Sequence, residues 1–171
     1  MIAVRALERD APPEDLLAVE GLFAAMYDHM SGLGLMVPLA PGGAGLWLKA
    51  LMPMLGKLHT IHVAWAQEPA APGRLGAPRA VGFAAGSIRV GPAHLGGLRS
   101  GAVTHLYVDP SERGGGVGRR LYEALSGWFT ERGLLHQELE VLVNNEPARR
   151  FWTSLGFVPD HLVMRRLPAR S

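Results

Sequence analysis

The sequence predicts an α+β fold, a mixed α/β sandwich in which a mostly antiparallel central sheet is flanked by helices. Three observations point there. Short β-rich runs cluster in the first two thirds of the chain, separated by glycine- and proline-rich turns. Helical periodicity then alternates with strands toward the C-terminal end. The resulting order, β-α-α-β-β-β-α-β-α-β, joins antiparallel hairpins to later β-α-β crossovers, which is not the order of a doubly wound parallel sheet.

Each element has a local reason. Ile2–Glu8 alternates weakly and reads as a first strand. Pro12 and Pro13 followed by Glu14 and Asp15 form a helix start, and Leu16, Val19, Leu22, Phe23, Met26 and Met30 continue it at helical spacing. Residues 31–45 are loop, and Leu46–Leu55 is a short helix disturbed by Pro53. His59–Gln67 and Ala80–Val90 are strands joined by a turn over Glu68–Pro78. Gly91–Gly101 is a second glycine-rich loop before the strand Ala102–Val108. Val117–Glu131 is an amphipathic helix using Val117, Leu121, Leu125 and Trp128. Gln137–Val143 reads as a strand, Pro147–Leu155 as a helix and Leu162–Leu167 as a last strand.

Composition narrows the classes. A chain of 171 residues fits one domain with a real core, here 1–171. There is no cysteine, so disulfides and thiolate metal sites are excluded, and no metal is expected. The N-terminus lacks a signal-type apolar run, and no apolar stretch reaches the ~18 residues of a membrane span. The expectation is a soluble, cytoplasmic protein without a membrane partner. The net charge is only +2 and the basic residues are scattered, so no nucleic-acid partner is expected.

The stretch Arg113-Gly-Gly-Gly-Val-Gly118, between a strand and a helix, carries the chemistry. Glycines permit left-handed backbone angles, so successive N–H groups can converge on an anion. A helix start adds free donors and the positive end of its dipole. Together these make a phosphate site, to which Arg113 and Arg119 add charge. It is neither of the familiar nucleotide loops. No lysine follows the last glycine, and the third glycine of a G-x-G-x-x-G spacing is replaced by Arg119.

Val108-x-Pro110-x-x-Arg113-x-x-Gly116-x-Gly118 resembles motif A of the GNAT superfamily of acyl-CoA-dependent N-acetyltransferases. Asn145-Glu-Pro-Ala-Arg-Arg-Phe-Trp-Thr-Ser-Leu-Gly-Phe157 resembles the same superfamily's motif B, in the right order and at about the right distance. The resemblance spans residues 2–167 and is sharp over 102–158. It implies the GNAT fold and acetyl-CoA as co-substrate. It implies an N-acetyltransferase that moves an acetyl group to a primary amine of a small molecule or peptide, by direct attack in a ternary complex. A non-catalytic acyl-CoA sensor of the same fold is the alternative. Homodimers are common in the superfamily.

Residue roles follow from the same resemblance. Arg113, Gly114, Gly115, Gly116, Val117 and Gly118, with Arg119 nearby, would hold the coenzyme A pyrophosphate. The backbone of Leu106, Tyr107 and Val108 would pair with the pantetheine arm, where this strand splays from Gln137–Val143. Asn145 would contact the cofactor arm, and it also suits a helix N-cap before Pro147. Many members carry a tyrosine four residues before the motif B glycine, as proton donor to the leaving thiolate. Here that residue is Trp152, whose indole donates a hydrogen bond but no proton near neutral pH.

The strand before the loop holds no carboxylate, which leaves His105 as its candidate general base, with relay through ordered water as the alternative. His105-x-x-x-Asp109 also matches an H-x-x-x-D pattern of far longer acyltransferases, and that likeness carries little here. The acceptor would meet Tyr27, Asp28, His29 and Trp47. Between Asp28 and Asp109 the only acidic residue is Glu68, so the expected acceptor is modestly charged or anionic.

Overall fold

The structure, a computed structural model, describes residues 1–69 and 75–166. Its first compact unit, residues 1–140, holds a five-stranded mixed sheet in the order β1 (Ile2–Ala6), β2 (His59–Pro69), β3 (Leu75–Val90), β4 (Arg99–Val108) and β5 (Gln137–Leu139). The first four strands are antiparallel and β4 pairs β5 in parallel. Three helices belong to this unit: α1 (Pro13–Gly32), α2 (Gly43–Leu51) and α3 (Val117–Thr130).

α1 begins where the prolines and acids put it. Pro12 is its N-cap, Pro13 opens it, and Glu14 and Asp15 occupy the first turn, where carboxylates meet the positive dipole end. Its apolar stripe, with Val19, Leu22, Phe23 and Met26 buried, packs with Leu48 of α2 on one sheet face over Ile61, Val63, Phe83 and Ala85. α3 covers other positions. Val117, Leu121, Leu125 and Phe129 recur every fourth residue and are all buried. Sequence spacing favoured Trp128 for that stripe, but the buried ring is Phe129. Trp128 is half-buried, with the Arg132 guanidinium 3.9 Å above its ring.

Several boundaries move. The first strand ends at Ala6, and the second helix starts at Gly43 and gives way to a 3-10 turn over Met52–Met54, where Pro53 lacks the N–H a helix needs. The hairpin of β2 and β3 runs into the expected turn, with Gln67 facing Pro78 and Pro69 facing Leu75, because extended backbone there finds ladder partners. Residues 70–74 of that turn lie outside the described residues.

β5 is three residues long, not seven. Its parallel ladder with β4 covers only Gly101–Val103. Just beyond, the register between β3 and β4 slips: Gly86 faces Val103 and Ala85 faces His105, which leaves Thr104 as an extra residue. The bulge interrupts the regular ladder of β4 one residue past the last residue that β5 pairs.

The second unit, residues 141–171, contains α4 (Glu146–Ser154). Within it Trp152 is buried, and its ring meets Phe157 edge-on at 5.4 Å and Phe151 at 4.9 Å. The expected last strand, Leu162–Leu167, is not formed over 162–166, and Leu167 lies outside the described residues. β-branched residues make a strand only where a neighbouring ladder accepts them. Here Leu162, Val163 and Met164 are exposed. The terminal β of the predicted order is therefore absent from the described residues.

Asn145 caps α4. Its Oδ1 accepts from the Ala148 backbone N–H at 3.2 Å. Asn145→Ala is expected to lower the stability of this unit by ~1 kcal/mol, with Asn145→Asp close to wild type. Urea denaturation followed by tryptophan fluorescence at Trp152 reads both.

Candidate active site

The end of β4 and the start of α3 build the site. At the C-terminal end of β4, Asp109 turns the chain: its Oδ1 accepts from the Ser111 N–H at 2.9 Å and from the Ser111 hydroxyl at 2.6 Å. These bonds, with Arg79 and Arg113 adding positive charge, hold the Asp109 carboxyl below the usual range. Arg79 bonds Glu112 at 3.0 Å and so fastens the short 3-10 turn Pro110–Glu112 to β3.

The glycine run follows. Gly114 and Gly116 have φ of 85° and 77°, in the left-handed region that side chains avoid. Gly116 is the N-cap of α3 and has no side chain to satisfy the first helical N–H groups. The Arg120 N–H is the one that bonds back to the Gly116 carbonyl, at 3.1 Å. The N–H groups of the first turn before it have no helical carbonyl to reach. A Cβ built on Gly114 or Gly116 meets nothing within 4 Å, and one on Gly115 meets only the Glu112 carbonyl at 3.8 Å. The loop is thus an open concavity of backbone donors at a helix N-terminus, shaped for an anion. Gly118 lies in the first turn and Val117 is buried beneath it. Arg119 is exposed. Arg113 bonds the Val108 carbonyl through Nε at 3.0 Å and lies over the Tyr107 ring.

The same strand offers a free edge. Leu106, Tyr107 and Val108 pair with β3 on one side. On the β5 side, no strand among the described residues pairs with Thr104–Val108. The pairing with β5 stops at Val103, next to the bulge. A cavity of about 230 Å³ opens there, lined by Arg89, Thr104, His105, Leu139 and Glu140 among others. A second cavity, of about 250 Å³, lies near β1 and the start of α1, where Arg5 is committed to Asp15 at 3.0 Å and to the Trp65 ring.

His105 sits between the cavity and an aromatic cluster. Phe23 lies 5.0 Å from its ring and Trp47 meets it edge-on at 5.4 Å, while Trp47 stacks on Phe23 at 4.0 Å. Tyr27 packs on Phe23 as well, so three expected residues (Tyr27, Trp47 and His105) converge through one phenylalanine. Asp28 and His29 are exposed near the end of α1. The His29 pKa is lowered by partial burial and by the positive charge of Arg113.

Burial lowers the His105 pKa to about 4. The consequence for stability has a definite sign. Above pH 6.5 the ring is neutral folded and unfolded. Between 6.5 and about 4 the unfolded chain takes up a proton that the folded chain refuses, so stability falls with falling pH and levels off below about 4. The full effect is at most ~3 kcal/mol, less whatever solvent at the partly open ring screens. Buried His62, also lowered by desolvation, acts in the same direction. Urea midpoints at pH 7 and 4.5 should drop less for His105→Gln than for wild type.

Sequence reasoning missed two carboxylates. It searched β4 alone, yet β5 sets Glu138 opposite Ala102, a residue of the opening, and Glu140, one residue past β5, lines the opening itself. Glu138 bonds Arg89 at 3.0 Å. Their presence beside a strand predicted to splay was the available signal. No group of three or more His, Asp or Glu that could hold a metal occurs among the described residues, and no described helix is long and apolar enough to cross a membrane.

A glycine anion cradle at a helix start, next to a strand whose edge is open beyond a bulge, defines a class of proteins that seat a phosphate-bearing, extended ligand along a sheet. The sequence matches the acetyltransferase (GNAT) family over residues 55–157, and the chain belongs to that family. Over 66 residues it is 41% identical to the mycothiol acetyltransferase of Amycolatopsis mediterranei, a match covering 39% of this chain and 22% of that protein; the chain thus aligns with about a fifth of its curated relative's length. Among solved structures, the aminoglycoside N-acetyltransferase AAC(6')-Iy in complex with CoA is similar at a TM-score of 0.71 and 18% identity, covering 99% of this chain and 96% of that one. An acetyltransferase from Trypanosoma brucei is similar at a TM-score of 0.67 and 23% identity, covering 98% and 100%. Both likenesses are of fold.

Proposed function

We propose that this chain is an acetyl-CoA-dependent N-acetyltransferase, one domain over 1–171, acting in the cytoplasm on a primary amine of a small molecule or peptide. Transfer is by direct attack in a ternary complex. The observation that carries this reading is the pair of left-handed glycines, Gly114 and Gly116, opening α3 at the end of a strand that no other strand among the described residues pairs on its β5 side past Val103. Bound acetyl-CoA supplies an acetyl thioester.

The chain's own residues do the rest. N–H groups from Gly114 to Gly118 hold phosphate oxygens, and Arg113 and Arg119 add positive charge. The free edge of Leu106–Val108 orients the extended arm by backbone hydrogen bonds. Tyr27 and Trp47 wall the acceptor side and exclude water, with Asp28 and His29 at its rim. Asn145 and Trp152 are assigned to the cofactor by the resemblance of their block alone. Carboxylates at the opening broaden the acceptor class to amines that carry positive charge. A fold relative, AAC(6')-Iy, has a solved structure in complex with the bisubstrate analog CoA-S-monomethyl-acetylneamine.

The test is thiol release from acetyl-CoA with a panel of primary amines. Steady release that requires the amine supports the enzyme. Tight acetyl-CoA binding with no release across the panel would make the chain a sensor.

A further inference from the structure

The two ring nitrogens of His105 have unequal surroundings. Nδ1 is sealed from solvent and has no hydrogen-bond partner. Nε2 is not among the sealed atoms, and His105 is one of the residues that line the cavity. A neutral imidazole carries its proton on one nitrogen and a lone pair on the other. A sealed N–H with nothing to bond is the rarer and costlier arrangement, and a sealed lone pair is better tolerated. The proton therefore belongs on Nε2. That makes Nε2 a donor, with no lone pair to accept a proton. Burial among Phe23 and Trp47 keeps the ring neutral at pH 7.

A different group in the same cavity can accept. The charged and titratable residues lining or bordering it are Arg89 from β3, His105 from β4, and Glu138 and Glu140 from the end of β5. Arg89 and Glu138 neutralise each other. Glu140 is exposed and has no hydrogen bond or ion pair among the described residues.

We propose that His105 is a hydrogen-bond donor to the acyl oxygen, through Nε2–H, and that Glu140 receives the proton of the attacking amine. This rests on the acetyltransferase reading above. In the step, the amine nitrogen bonds to the acyl carbon and the carbon–sulfur bond breaks. Its electron pair leaves with sulfur as thiolate. The ammonium proton lost on attack goes to the Glu140 carboxylate, directly or through one water. Negative charge that gathers on the acyl oxygen is met by the neutral N–H of His105, a donor fixed by packing before the reaction begins.

Two measurements decide it. The first needs no acceptor: nitrogen-15 NMR of histidine-labelled protein at pH 7, with His105→Gln to assign the signal. The Nε2–H tautomer is expected. A Nδ1–H tautomer, or a ring that titrates near pH 6.5, overturns the donor role. The second is the pH profile of thiol release for wild type, His105→Phe, His105→Gln and Glu140→Gln, with acetyl-CoA affinity measured in parallel. His105→Phe should lose roughly 100-fold in kcat with the acidic limb of the profile kept. His105→Gln, which keeps an amide donor, should recover part of that loss. Glu140→Gln should lose 100-fold or more in kcat, with acetyl-CoA affinity unchanged. Glu140→Gln with wild-type kcat overturns its role while leaving the acetyltransferase reading standing. A wild type that binds acetyl-CoA but releases no thiol with any amine overturns that reading, and the proton path with it.

Discussion

Gly116→Glu is expected to weaken acetyl-CoA binding roughly 100-fold while leaving the unfolding midpoint nearly unchanged. The two effects separate because they act through different physics. At φ of 77° any side chain is strained, by ~1 kcal/mol. A carboxylate at a helix N-cap recovers ~0.3–1 kcal/mol from the dipole and the free N–H groups, so folding loses little. There is room for it, since a Cβ there meets nothing within 4 Å. For a diphosphate the same carboxylate is ruinous. It occupies the donors and sets a negative charge beside another. At ~4 Å and an effective dielectric of ~20 that repulsion is ~4 kcal/mol before screening, and about 70% of it suffices for the stated loss. Gly115→Ala is a milder probe, because its φ is not left-handed and its Cβ would be unhindered. Gly21→Glu adds the same charge on the exposed face of α1 and should bind as wild type. Calorimetric titration with acetyl-CoA reads all four proteins. Wild-type affinity in Gly116→Glu would remove the loop from the ligand's path.

The cradle was legible in sequence because its requirement is local. Left-handed backbone and unobstructed N–H groups select glycine one position at a time, and a motif of six residues records that. The four helices were legible for a similar reason, since periodicity and capping act within one element. What escaped is set by pairing between elements. β5 stops at Leu139, level with the bulge at Thr104 in another strand, and nothing in Gln137–Val143 itself announces it. The acid at the opening escaped for the same reason: Glu140 is distant from His105 in the chain, and the two line one cavity only in the folded sheet. Trp128 and Phe129 are adjacent aromatics whose ranking depends on the neighbour each ring meets. Phe129 has room because the sheet beneath it lacks side chains.

That room sets the second large effect. Gly86 reads in sequence as a weak point in a strand and Gly101 as the end of a glycine-rich loop, yet each marks where α3 presses on the sheet. A Cβ on Gly101 would lie 2.6–2.7 Å from three atoms of the Phe129 ring, and one on Gly86 would lie 2.7 Å from its Cζ and 2.6 Å from Leu125 Cδ1. An aromatic ring held between a strand and its own helix cannot yield as the tip of a leucine can. Gly101→Ala is therefore expected to destabilise by ~1–3 kcal/mol, even though alanine favours ordered backbone by ~0.5–1 kcal/mol. Phe129→Ala empties the same space from the other side and should cost ~3–5 kcal/mol. The two sites share one volume, so Gly101→Ala combined with Phe129→Leu should be more stable than the sum of the single losses, by at least ~0.5 kcal/mol. Strict additivity in urea denaturation would mean that the ring and the strand do not compete for space. The position along α3 sharpens the test. Phe129 is thirteen residues from the Gly116 cap, about 20 Å at 1.5 Å per residue. A helix that tilts as a rigid rod would carry the cradle with it and weaken acetyl-CoA binding in step with stability. A helix that yields only in its last turn would lose stability and keep its affinity. The second result is expected, because Leu121 and Val117 remain fully packed between that turn and the cradle.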